Sequence, residues 1–391
     1  SMYPCVRGCL SFQNIRCRGA YHQSLFFILN FYTMASASGT ALNICNTLVM
    51  QLDEPKKGLP NNWLQTNGFY SALTSAENRA GYETELALIR EELKNKVLPN
   101  TTFPKVQFKF LKPDCSDQTV TSPTAPCDSV SVGTDLYDYV DITVDRYQER
   151  KFTITRAQFD SVCYGKDSYL ADMLRITAKG VLRDMNKVLG TQVTALMGAY
   201  EDGVASLVTP VTLPLFNTTG GINASGLTRL ETEYFLAGAT GGDITTVGGV
   251  DLRKYNSALG LSAINSTNGT DASKLSEFPF YFDTSLAKDV MITWQNTTIQ
   301  LLEAYRYEGK RREFSEAMIR TTMPIDGVEF DMSMFYDPCV NDGSWTVTLS
   351  KRFGLGYIPT ADYTCMPTAG MNAKLKFLVG CGAMDCAALD L

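Results

Sequence analysis

Between residues 168 and 197 the chain carries its longest helical pattern, and a segment of that length limits what the rest can fold into. Leu170, Leu174, Val181, Met185, Val188 and Leu196 form one apolar face, and Asp167 or Ser168 can cap the start. A helix from Ser168 to Met197 would be ~45 Å long at ~1.5 Å per residue. A single helix of that length is a scaffold on which other elements pack. Gly180 and Gly190 weaken it, and the second is a candidate end. Arg175, Lys179, Arg183 and Lys187 follow one another at i, i+4 steps, so all four are expected on one side. Like charges stacked this way repel, and a solvated face is their ordinary setting. A facing polyanion would offset the repulsion and turn the stripe into a non-specific phosphate contact. Arg306, Lys310, Arg311 and Arg312 form a second basic cluster that could act likewise.

The remaining segments read as a mixture of helix and strand. Leu86, Ile89, Leu93 and Val97 recur at helical steps between Tyr82 and Leu98, and Pro99 stops the run. Val106, Phe108 and Phe110 alternate with Lys105, Gln107 and Lys109, which is strand periodicity. After a polar stretch from Pro113 to Asp135, Val140, Ile142 and Val144 alternate again, and Phe152 and Ile154 continue the theme. The simplest drawing of 105–155 is one long two-stranded arm, which would have to pack on the subunit or on a neighbour because such a ribbon is marginal alone. Residues 205–300 are rich in loops, punctuated by Gly238, Gly241, Gly242, Gly248 and Gly249, read as turn glycines. A helix is expected from Ile299 to Tyr307. Strands follow at Val328–Phe335, at Trp345, Val347 and Leu349, and at Leu375–Val379.

Composition narrows the chemistry. The chain has 391 residues, enough for roughly two or three units with their own cores. A net charge of -6 argues against a surface built wholly to neutralise phosphate, so any nucleic-acid contact must be local. His22 is the sole histidine, which removes the commonest general base and most Ser-His or Cys-His designs. Eleven scattered cysteines imply no disulfide framework, and reduced thiols are the plain reading. Cys5, Cys9, Cys17 and His22 could in principle suit tetrahedral zinc, but the CxxC knuckle is missing, and no cofactor or metal is expected. Neither a phosphate loop nor a G-x-G-x-x-G turn is present. Asp326, Glu329, Asp331, Asp337 and Asp342 could supply a hydrolytic carboxylate pair. Glu329 and Asp331, at strand spacing, are instead expected on one solvated face. No catalytic residue is assigned, and the chain is not expected to be an enzyme. The six N-x-[ST] sequons are common in so Ser/Thr/Asn-rich a sequence.

The first residues stand apart. Ser1-Met2 reads as a tagged or processed start. Arg7, Arg16 and Arg18 precede the short apolar run Leu25–Leu29, and Ala35-Ser36-Ala37 follows, formally a signal-peptide pattern. The rival reading starts the natural chain at Met34.

The order of these segments, and several strings within it, resembles the Hong Kong 97-type capsid fold of tailed-phage major capsid proteins and encapsulins. Tyr139-Val-Asp-Ile-Thr-Val-Asp-Arg-Tyr-Gln-Glu-Arg-Lys-Phe-Thr-Ile-Thr, leading to Tyr169-Leu-Ala-Asp-Met-Leu, is similar to the hairpin-to-spine junction of such coats. Val247-Gly-Gly-Val-Asp-Leu-Arg-Lys-Tyr with Phe280-Tyr-Phe-Asp resembles a passage of their axial domain. Phe335-Tyr-Asp-Pro-Cys and Ser344-Trp-Thr-Val-Thr-Leu-Ser also look like coat-protein strings. The likeness spans about residues 70–380.

The resemblance implies an α+β fold divided into an N-terminal extension and arm (1–69), an N-terminal helix region (70–104) and an extended β-hairpin arm or E-loop (105–155). A peripheral domain with the long spine helix (156–199), an axial domain (200–320) and returning strands of both domains with the C-terminus (321–391) complete it. It implies a virion coat subunit, assembled in the host cytoplasm into hexamers and pentamers of an icosahedral shell around double-stranded DNA. Arg175, Lys179, Arg183 and Lys187 would face the DNA. Scaffolding, portal or decoration proteins are further partners it allows, and no membrane is involved. The alternatives are an encapsulin-like shell and a secreted carbohydrate-binding or adhesive protein with Trp63, Trp294 or Trp345 as sugar platforms.

Overall fold

A computed structural model describes residues 67–95, 105–111, 137–155, 166–197, 199–201, 204–206, 211–216, 223, 244–256, 280–309, 312–315, 318–339, 343–358 and 375–381. Helices α1 (Gly68–Leu73), α2 (Ala76–Arg79) and α3 (Glu83–Asn95) come first, then strands β1 (Lys105–Leu111), β2 (Tyr137–Thr143) and β3 (Arg146–Thr155). The long helix α4 (Lys166–Leu196) leads to β4 (Ala199–Glu201), β5 (Val204–Ser206), β6 (Val211–Phe216), β7 (Ile244–Gly248) and β8 (Phe280–Phe282). The rest is strand: β9 (Val290–Gln295), β10 (Ile299–Ala304), β11 (Glu313–Phe314), β12 (Met318–Ile325), β13 (Val328–Asp337), β14 (Ser344–Tyr357) and β15 (Leu375–Cys381). The mixture is α+β, as the resemblance implies.

The main layer is a six-stranded antiparallel sheet ordered β10-β14-β13-β12-β11, with β3 also on β14. Arg352 and Phe353 of β14 pair with β3 and with β10 at once, so those two strands flank β14 on opposite sides. Helix α4 covers one face. Leu170, Leu174, Ala178, Val181, Leu182, Met185, Leu189 and Val193 are buried at steps of three, four and one. They meet Met323, Phe330, Met332, Val347 and Leu349 of the sheet in one apolar core. The alternation in β12 puts Ile319, Thr321, Met323 and Ile325 inward, which is the period-2 signature of a sheet with one covered face.

Helix α4 runs through both glycines that were expected to weaken or end it. A Cβ at Gly180 would sit 2.6 Å from Cδ of Arg150, and one at Gly190 would sit 2.8 Å from Cε2 of Phe69. The missing side chains are slots, through which Arg150 crosses to Asp184 (2.7 Å) and Phe69 enters the core. Tertiary packing outweighs the ~1 kcal/mol that each glycine costs the helix.

Two further expectations change. The segment expected to be a helix at 299–307 is β10, buried at Ile299, Gln300, Leu301 and Leu302. Burial on both faces erases the period that separates strand from helix. The Gln300 amide supports it by donating to the carbonyls of Asn78 and Thr297, both at 2.9 Å. The arm drawn over 105–155 is a hairpin of β1 and β2 only, with Lys105 opposite Thr143 and Leu111 opposite Tyr137. Strand β3 leaves the hairpin at Val144–Asp145 and joins β14. Val140, Ile142, Val144, Phe152 and Ile154 keep one parity across that break, so the sequence pattern does not show it. The polar stretch after Pro113 lies outside the described residues.

The root of the hairpin has its own small core of Phe108, Ile142, Val144, Leu302, Ala304 and Ile358, with Tyr82, Leu86 and Ile89 of the α3 region packed against it. There β2 crosses β14 at bare backbone. A Cβ at Gly354 would lie 2.3 Å from the Thr143 carbonyl oxygen, and one at Gly356 2.1 Å from Cδ1 of Ile142.

A five-stranded mixed sheet, β6-β15-β9-β7-β8, forms the second layer, with β15 parallel to β6 and β7 parallel to β8. Val247, Ile292 and Trp294 join the main core, so the two sheets share one apolar interior. Gly248 and Gly249, read as turn glycines, serve close approach. A Cβ on them would lie 2.2 Å from Cδ2 of Leu252 and 2.3 Å from the Ala287 carbonyl oxygen. Buried Asn186 of α4 donates to Asp283 (2.7 Å) and accepts from the Tyr70 amide (3.0 Å). Asp283 also accepts from the amides of Phe69 and Ser285, which ties α1, α4 and the turn after β8 together.

Candidate nucleic-acid interface on the long helix

The four basic residues of α4 are not equivalent. Each i, i+4 step overshoots a full turn by about 40°, so three steps turn Arg175 about 120° away from Lys187. That rotation carries Arg175 beneath the helix, where its side chain is 3% exposed. Its Nε lies 3.4 Å from Asp326 and its Nη1 lies 3.6 Å from Asp172 one turn earlier. Asp326 and Gly327 form the two-residue turn of the β12–β13 hairpin, at φ 49° and 82°, left-handed values that suit an Asp-Gly turn. Arg175 therefore pins α4 to a hairpin tip and does not belong to a solvated stripe. Lys179 is half-buried, while Arg183 and Lys187 are exposed on successive turns. Asp184 beside them is committed to Arg150, whose guanidinium it holds above its usual pKa range. Among the described side chains of α4 the exposed positive surface thus consists of Arg183 and Lys187, with Lys179 at its edge.

The Arg306 guanidinium lies 5.5 Å from the Tyr307 ring, Arg312 is exposed, and Lys310 and Arg311 lie outside the described residues.

The acidic residues take separate structural partners. Asp331, expected on a solvated face, is 1% exposed and accepts from the amides of Arg306 (2.6 Å) and Tyr307 (3.1 Å) and from the Thr322 hydroxyl (3.0 Å). Burial raises its pKa, and these hydrogen bonds oppose the rise. Glu329 binds Arg90, Asp326 binds Arg175, and Asp337 accepts from the Cys339 amide (2.9 Å). Asp342 lies outside the described residues. Trp294 is buried, with Nε1 donating to Asn78 (3.1 Å), and Trp345 is 8% exposed, so neither is a sugar platform. Trp63 and the Cys5, Cys9, Cys17 and His22 set lie outside the described residues, among which no grouping of three metal-ligating side chains occurs.

The most unusual polar site was missed. Lys351 is fully buried, with Nζ 2.8 Å from Glu303 Oε1 and 2.9 Å from the Glu329 carbonyl oxygen. The rings of Tyr70, Tyr305 and Phe330 surround the ammonium with centroids 5.3–5.4 Å away. Burial pushes the Glu303 carboxyl up, but Lys351, helped by Arg79 and the Tyr70 hydroxyl, more than offsets this and holds it below the usual range. Burial and the Glu303 charge raise both tyrosines well above theirs. The signal was present in the sequence, because Lys351 falls on the inward parity of Val347, Leu349 and Phe353.

Beside this cluster a cleft of 310 Å³ separates α2 and α3 from β10. Leu86, Ala87, Leu301 and Leu302 supply apolar walls, and Arg79, Glu83, Glu303 and Tyr305 supply polar ones. Arg90, also on the wall, lies over the Tyr305 ring at 4.8 Å and pairs with Glu308 at 2.7 Å.

No protein-family model matches the chain, and no curated protein is significantly similar to it. Solved structures that match include the capsid asymmetric unit of cyanophage A-1(L), at 11% identity and TM-score 0.44, covering 74% of this chain and 92% of that one. The capsid of cyanophage P-SCSP1u matches at 8% identity and TM-score 0.41, over 74% and 92% of the two chains. The capsid of a native GTA particle matches at 12% identity and TM-score 0.40, over 80% and 92%.

Proposed function

We propose that this chain is a structural coat subunit of the Hong Kong 97 type, the major capsid protein of a tailed phage, and not an enzyme. The observation that carries the reading is the order of elements along the chain. N-terminal helices are followed by a β-hairpin rooted on bare glycine backbone, a 31-residue helix across an antiparallel sheet, a second sheet, and late strands that return to both. That is the order the sequence resemblance implies. In this reading α4 with β3, β12, β13 and β14 is the peripheral domain, and β6–β9 with β15 is the axial domain. The hairpin begins the arm that laps over a neighbouring copy. Copies assemble into hexamers and pentamers of a virion shell in the host cytoplasm, with scaffolding, portal or decoration proteins as further partners.

Arg183 and Lys187, with Lys179 at their edge, face packaged double-stranded DNA through its phosphates, while Arg175 takes a structural role. Electron microscopy with size-exclusion chromatography of the purified chain tests the reading. Closed shells or rings of five and six are expected, and a protein that stays monomeric through concentration and salt screens overturns it. In an assembled particle, Arg183 and Lys187 on the outer surface would remove the DNA contact.

A further inference from the structure

Helices α2 and α3 meet the sheet in different ways, although only Ala80, Gly81 and Tyr82 separate them. Helix α2 is fixed. Its Asn78 is fully buried, donates to the carbonyls of Leu73 (3.3 Å) and Ile299 (2.9 Å), and accepts from Trp294 Nε1 (3.1 Å). The Asn78 carbonyl in turn accepts from Gln300 (2.9 Å). Helix α3 has no fully buried side chain among those described, and its Leu88 is 65% exposed. Leu86 and Ile89, its inner side chains, are half-buried against the hairpin-root core. Between Leu86 and Ala87 on one side and Leu301 and Leu302 on the other lies the 310 Å³ cleft. Helix α3 is therefore not close-packed on the strand beneath it. Elements with so little buried apolar contact are the ones that open locally.

The far half of α3 is held by ion pairs. Arg90 Nη2 lies 2.7 Å from Glu308 and 2.5 Å from Glu329, and its Nε lies 3.2 Å from Glu308. Glu308 follows β10 and Glu329 belongs to β13, so one guanidinium ties α3 to two separate parts of the main sheet. Lys94, one turn on, lies 3.7 Å from Glu308 and 3.1 Å from Glu91. The near end of α3 has a pivot. Gly81 sits at φ 83°, and a Cβ placed on it would meet nothing within 4 Å. A glycine in open space can change its backbone angles without a clash.

We infer that α3 is a latched lid, which turns about Gly81 and is held shut by the grip of Arg90 on Glu308 and Glu329. Release lifts Leu86 and Ile89 from the hairpin-root core. It widens the cleft into a groove floored by Leu301, Leu302 and Phe108, all of them buried while the lid is shut. Helix α2 stays in place, because Asn78 holds it to β10. The lid belongs to the single subunit and stands apart from the coat reading.

Hydrogen exchange of the full chain, read by mass spectrometry, tests the latch. In Arg90→Gln the amides of α3 are expected to exchange about tenfold faster or more, while those of α2, α4 and β13 change by less than about twofold. Arg90→Lys keeps the charge without the fork and is expected to fall between wild type and Arg90→Gln. Glu308→Gln is expected to release the same amides, and the double variant to exchange no faster than Arg90→Gln, because the two residues act as one unit. Binding of the dye anilinonaphthalene sulfonate is expected to rise in Arg90→Gln as the apolar groove opens. Unchanged α3 exchange in Arg90→Gln overturns the latch and leaves Leu86 and Ile89 as the hold. Loss of protection in α4 together with α3 also overturns it, by making Arg90 a support of the whole fold. Faster α3 exchange with no rise in dye binding means that the helix frays in place, and ends the lid.

Discussion

Lys351 occupies the inward row of β14, between Leu349 and Phe353, where an apolar side chain is the ordinary occupant. Its charge is tolerated because Glu303, the Glu329 carbonyl and three ring faces replace its water. Removing one partner leaves the other charge buried, so Lys351→Ala is expected to cost roughly 3–5 kcal/mol in denaturant unfolding. The double variant Lys351→Met, Glu303→Leu is expected to recover most of that loss, since apolar groups of similar volume replace the pair. The pH dependence has a definite sign. Glu303 has its folded pKa below the ordinary 4.5, so its contribution is present above that value and is lost as pH falls through the folded pKa. Asp331 has its pKa raised above 3.8, so its burial opposes folding at neutral pH and is relieved on acidification. Melting temperatures across pH 2–6 are expected to show the acid loss in the wild type and to lack the Glu303 component in Glu303→Gln.

Among the elements, α4 was legible in its period, its length and most of its apolar face, because eight turns of one pattern are hard to mistake. Its glycines were not, since a residue that weakens an isolated helix can be required by what crosses it. Gly180→Ala would gain about 1 kcal/mol of helix propensity in isolation. Here its Cβ meets Arg150 at 2.6 Å, so the variant is expected to be destabilised and to release the Arg150–Asp184 pair, visible as a lower melting temperature. The hairpin root behaves likewise, with a backbone carbonyl rather than a flexible side chain in the way. Gly354→Ala is expected to open β1 and β2 to proteases while α4 and the main sheet keep their protection from hydrogen exchange. Strand β10 was misread because four successive buried positions carry neither period, and the sheet that claimed them was assembled from strands on either side of it in sequence.

For the molecule as a whole, one continuous core joins both sheets, so the strands from 290 to 358 stabilise the same unit as the helices before 80. The basic surface of α4 gives a measurement at this scale. Arg183→Gln with Lys187→Gln is expected to weaken non-specific DNA binding and to make log K less steep in log salt by about 2, at about 0.9 per phosphate contact. Arg175→Gln is instead expected to lower stability, because it leaves Asp326 without its buried partner at the hairpin tip.

What the sequence determined by itself was periodicity and composition: the long amphipathic helix, the alternating strands and the poverty of general bases. Those properties are local, written in the spacing of apolar side chains and in which residue types are absent. Tertiary structure decided the rest. It chose which of four evenly spaced cations reached water, because helical twist accumulates over three turns. It turned an acidic cluster into separate ion pairs and turn acceptors. It detached β3 from the hairpin without breaking the parity of the pattern. It also enclosed Lys351 beside Glu303, a pairing across β10 and β14 that depends on strand order, which no local spacing encodes.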